Sequence, residues 1–67
     1  MNKQERLEIA IERNNREQDT LKAKYTRIYN RIGLYANDVI RLNAWYVQED
    51  NRIMSDFRNE IKTILEG

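Results

Sequence analysis

Hydrophobic residues recur along this chain at steps of three and four, the spacing of one face of an α-helix. One seven-residue series runs Ile11, Gln18, Tyr25, Ile32, Val39, Tyr46, Ile53, and an interleaved one runs Leu7, Asn14, Leu21, Ile28, Tyr35, Leu42, Glu49. Taken as heptad positions a and d, the two series make a single apolar stripe with a polar break at Asn14 and Gln18. No alternation of period two persists, so the pattern predicts an all-α chain without strands.

The first helix has a readable start. Asn2 is placed to cap it, with Glu5 three residues on as in a capping box. Gly33 then admits two readings. As a left-handed C-cap it ends helix one with Arg27 and Arg31 in the last turn, where cations favour the negative end of the helix dipole. Leu34 would then touch Tyr29, and Asn37 or Asp38 would cap a second helix. As an interior residue it costs about 1 kcal/mol and leaves a long helix or coiled coil followed by a short C-terminal helix.

Register favours the break. When the chain is folded at Gly33, Ile28 meets Val39, Tyr25 meets Leu42, Leu21 meets Tyr46, and Gln18 meets Glu49. Ile11 and Leu7 meet the turns that carry Phe57 and Ile61, and the polar break of one arm lands on that of the other. The expected architecture is a single helical domain over residues 1–67: an antiparallel hairpin with a helix at about 3–32 and a helix or helices at about 36–66.

The second half carries an additional apolar stripe with no counterpart in the first. Ile40, Val47, Met54 and Ile61 recur every seven residues, Phe57 and Ile64 lie between them, and Trp45 borders them. A hairpin that buries the Val39, Leu42, Tyr46 and Ile53 stripe points this second one elsewhere. An exposed apolar patch of this kind marks an interface. Ile40, Trp45, Val47, Met54, Phe57, Ile61 and Ile64 are therefore the expected protein-interface residues, and pairing of two hairpins through them would give a dimeric four-helix bundle. In layout alone, without a shared motif, this resembles the small dimeric hairpins encoded by plasmids and phages.

Composition strengthens the case for a partner. The chain has 67 residues, no cysteine, no histidine, and two glycines. Chains below about 70–80 residues usually need disulfides, metal or oligomerisation for stability. Disulfides and thiolate or imidazole metal sites are excluded here, which leaves association. The longest run of apolar residues is four, Ala44 to Val47, too short for a secretory core or a membrane span. The expected location is the cytoplasm, of a host cell if the chain is phage-encoded.

Charge is uneven. The net charge is +1 overall. Residues 1–21 sum to −1, residues 22–46 to +4 and residues 47–67 to −2. Lys24, Arg27 and Arg31 share one helix face and Arg41 lies beyond Gly33, with tyrosines nearby. Such a stripe would neutralise phosphates and offer stacking, although a pI of about 8.0 is below the range above about 9 typical of nucleic-acid-binding domains.

No catalytic constellation emerges. Ser55 is the only serine, and no histidine is present to activate it. The paired carboxylates Glu8/Glu12, Glu49/Asp50 and Asp56/Glu60 lack the cleft that two-carboxylate hydrolysis requires, and Glu12 is spaced to pair with Arg16 along one helix. The expectation is a non-enzymatic protein without cofactor, metal or small-molecule substrate. Its leading role is a protein-interaction module, such as an adaptor, assembly factor or inhibitor, that works as a homo-oligomer, on a protein partner, or both. The alternatives are a nucleic-acid-binding bundle using Lys24, Arg27, Arg31 and Arg41, and a structural oligomer or scaffold component.

Overall fold

The computed structural model describes residues 1–32 and 35–67, with the side chain of Ala36 excepted. Two helices, α1 (Lys3–Ile32) and α2 (Ala36–Glu66), run antiparallel as a hairpin. The chain is all-α, as its periodicity predicts. The proposed Gly33 C-cap and the Leu34–Tyr29 contact lie outside the described residues.

Local chemistry starts each helix. The Asn2 side-chain carbonyl accepts from the Glu5 N–H at 2.8 Å, and Asn2 Nδ2 donates to Glu5 Oε1 at 3.3 Å. Glu5 thus closes the box on the asparagine side chain, and its charge lies at the positive end of the helix dipole. At α2 the cap is Tyr35, in extended backbone (φ −69°, ψ 112°) and without a side-chain cap bond. Asn37 and Asp38 therefore do not cap this helix. They lie inside its first turn, where the Asp38 charge favours the positive end of the helix dipole. At the far end, the Gly67 N–H donates to Thr63 O at 3.0 Å.

Packing follows a different period from the heptad. The buried residues are Ala10 and Leu21 in α1, and Leu42, Ile53 and Ile64 in α2. Within each helix they are spaced by eleven. The half-buried positions repeat by the same step: Leu7, Gln18 and Tyr29; Asn14 and Tyr25; Val39, Asp50 and Ile61; Tyr46 and Phe57; Glu49 and Glu60. Eleven residues in three turns is 3.67 per turn, just above the 3.6 of a straight helix, so this series drifts about 20° per eleven residues in one sense, whereas a seven-residue series slips about 20° per seven in the other.

That slip accounts for the heptad positions that miss the seam. Ile11 opens the a series and is exposed on one side of the seam, and Ile28, the last d residue of α1, is exposed on the other. Tyr35, expected in the core, is also exposed. The pairing is shifted by up to about one turn from the fold at Gly33. Gln18 Nε2 reaches Met54 Sδ at 3.4 Å instead of meeting Glu49, and Tyr25 packs edge-on against Tyr46 with ring centroids 5.0 Å apart. Arg13 and Glu60 close an inter-helix ion pair at 3.0 Å. The result is a thin rod, with Cα extents of 49 × 16 × 8 Å.

Candidate functional site

Two helices in contact leave two grooves, one on each flank of the seam, and the sequence loads them differently. The first groove is lined by Lys22, Tyr25, Thr26, Asn43, Tyr46 and Val47 and has a volume of about 400 Å³. Tyr25 Oη donates to Asn43 Oδ1 across it at 2.6 Å. Met54 joins this flank through Gln18. Leu65, eleven residues after Met54, shares its azimuth, as Ile11 does with Lys22.

The additional apolar stripe crosses this flank obliquely. Exposure falls along it from 65% at Ile40 to 56% at Val47 and 38% at Met54, and Ile61 is half-buried. A heptad stripe that slips about 20° per step should enter the seam gradually, and this one does. Of the seven expected interface residues, Ile40, Val47 and Met54 therefore stand open together, with Leu65 (58% exposed) as an unanticipated fourth. Ile61 and Phe57 are half-buried, and Ile64 is consumed by the hairpin's own core. Trp45 is half-buried and lies on the opposite flank.

That second flank holds a groove of about 360 Å³ lined by Arg13, Arg16, Glu17, Thr20, Leu21, Lys24, Trp45, Glu49, Arg52 and Ile53. The eleven-residue rows extend it toward the turn: Arg27 follows Arg16, Arg31 follows Thr20, and Arg41 precedes Arg52. Of the four residues of the basic stripe, Lys24 lines the groove with Trp45, and helical spacing sets Arg27, Arg31 and Arg41 on rows that continue it. In the sequence pattern Trp45 borders the Val47 stripe, but two residues along a helix is about 200° of rotation.

Carboxylates temper this flank at its terminal end. Arg52 bridges Glu49 at 3.0 Å and Asp56 at 3.4 Å, and Arg13 is held by Glu60. The hydrogen bond that Arg52 donates to Glu49, then the Glu49 charge, raises the Arg52 pKa above its ordinary value. Arg16, Lys24, Arg27, Arg31 and Arg41 have no ion pair among the described residues. The expected Glu12–Arg16 pair is not formed.

Among the described residues, no group of metal-ligating side chains is close enough to hold an ion, and no helix is long and apolar enough to cross a membrane. Comparison of the chain with protein-family models, with curated proteins and with solved structures finds no match.

Proposed function

We propose that this chain is a small protein-interaction module, an adaptor, assembly factor or inhibitor, that acts by seating the Val47 flank of its hairpin on another protein surface. One observation supports the reading above the others. Ile40, Val47, Met54 and Leu65 are more than a third exposed and share one flank, although the hairpin already has its own core. Covering such side chains contributes about 25 cal/mol for each Å² removed from water, and aliphatic surface held open at this density is a feature of docking faces.

Site-specific photo-crosslinking tests it. A photoreactive side chain at position 47 or 54 should give a discrete adduct in cells that express the chain. The same group at Glu12 or Ala23, on the back of α1, should give none. Equal labelling from both faces would remove the reading.

A second reading has its own observation. Lys24, Arg16 and Trp45 line one groove, and Arg27, Arg31 and Arg41 continue its rows. Cations beside an indole suit a single-stranded nucleic acid, by phosphate neutralisation and base stacking. The test is quenching of Trp45, the only tryptophan, by a single-stranded oligonucleotide. Affinity should fall steeply between about 50 and 200 mM salt, and a flat response would discard this reading.

A further inference from the structure

We infer that the occupant of the Val47 flank is a second copy of this chain, lying antiparallel to the first with its turn end over the other's termini. The inference rests on the reading of that flank as a docking face. Three observations lead to it.

The first is area. The chain exposes 5414 Å², whereas a compact monomer of 8.1 kDa exposes about 4,500 Å². The excess, about 900 Å², is close to the roughly 800 Å² that each partner contributes to a stable protein–protein interface. A rod this thin carries one interface's worth of surface beyond what its mass requires.

The second is symmetry. The stripe Ile40, Val47, Met54, Ile61 is centred between residues 50 and 51, and α2, from Ala36 to Glu66, is centred on Asn51. A two-fold axis near Asn51 therefore matches Val47 with the partner's Met54 and Ile40 with the partner's Ile61, while overlapping the full length of both rods. An isologous contact requires this self-complementary arrangement.

The third is charge. Folding brings residues 1–21 and 47–67, together −3, to one end of the rod, and leaves the +4 of residues 22–46 at the other. Antiparallel pairing puts each positive half beside a negative one, and parallel pairing would set like halves together. The spacing across a helical bundle is comparable to the Debye length of about 10 Å at 0.1 M salt. Charge therefore selects orientation, and apolar area supplies affinity.

The chain has no cysteine, so a single introduced thiol reports its own neighbourhood. Asn51→Cys should link to itself with a short bismaleimide, and a mixture of Ile40→Cys and Ile61→Cys chains should form the mixed dimer. Ile40→Cys alone should not link, because antiparallel copies hold those positions about 30 Å apart at 1.5 Å of rise per residue. Raising salt from about 0.02 to 0.5 M should weaken self-association about threefold. Self-linking of Ile40→Cys, or association strengthened by salt, would overturn the antiparallel arrangement. If no cysteine variant links while position 47 still forms a photo-adduct with another protein, the second copy is wrong and the docking face stands. If neither occurs, both fail.

Discussion

Asn14 offers the sharpest energetic test of the seam. Its side-chain Oδ1 is buried and has no hydrogen-bond partner, in a crevice of about 170 Å³ lined by Ala10, Ile53, Phe57 and four charged side chains. A buried acceptor without a partner costs about 1–3 kcal/mol. Asn14→Leu removes that cost, keeps a similar shape, and adds a few tenths of a kcal/mol of helix propensity. The net gain should be about 1–3 kcal/mol. For a domain of this size each kcal/mol shifts Tm by about 4–8 °C, so Tm should rise by about 5–20 °C. The assay is thermal and urea unfolding followed by helical circular dichroism, at one fixed chain concentration because association shifts apparent stability. Asn15→Leu, at an exposed neighbour, controls for propensity alone. If Asn14→Leu melts no higher than that control, the buried orphan acceptor is not a feature of the folded hairpin.

Leu21→Ala and Ile53→Ala should each cost about 2–5 kcal/mol in urea unfolding, because both remove a buried aliphatic from a core of few residues; a loss under 1 kcal/mol would count against an eleven-residue seam. Arg13→Ala should cost at most about 1 kcal/mol, since its ion pair with Glu60 is largely solvated, and a larger loss in the same assay would show a stiffer pair. Arg52 has a raised folded-state pKa, so its contribution is full below its unfolded pKa and fades only as pH rises through the folded one, in strongly alkaline solution. The Tm difference between wild type and Arg52→Gln should therefore be equal at about pH 7 and pH 9; a difference that disappears at the higher pH would contradict this.

The hairpin was legible because its signals are local and agree with one another. Asn2 and Glu5 announce a helix start, and leucine and isoleucine at steps of three and four announce the buried face. The register was less legible. Over two or three repeats, seven-residue and eleven-residue series differ by only tens of degrees, and Leu21, Leu42 and Ile53 belong to both. The distinguishing residues are small or terminal. Ala10 gives little apolar signal although it is buried, and Ile64 reads as stripe or core with equal ease. Ile11 and Ile28 pointed the wrong way because a heptad count ignores the slip, and Tyr35 because it precedes α2 in extended backbone rather than lying on a helix face. Trp45 borders the Val47 stripe in sequence but not on the helix: two residues is about 200° of rotation, enough to cross from one flank to the other. Tyr35 as a cap carries no sequence signal, since its side chain does not take part.

Both functional readings descend from this geometry, and they are separable because their residues occupy opposite flanks. Self-association through Val47 and Met54 leaves Trp45 and its cations facing outward, so a dimer does not exclude a nucleic-acid partner. Association through Trp45 would instead cover the basic rows.

Absolute mass by light scattering after size exclusion, over a range of concentrations, tests the central claim most directly when wild type is compared with the Val47→Asp/Met54→Asp double variant. Wild type should approach twice the chain mass of 8.1 kDa, and the variant should run as a single chain with its helical signal intact. A wild-type chain that stays at monomer mass at every concentration, or a double variant that still dimerises, would contradict the account.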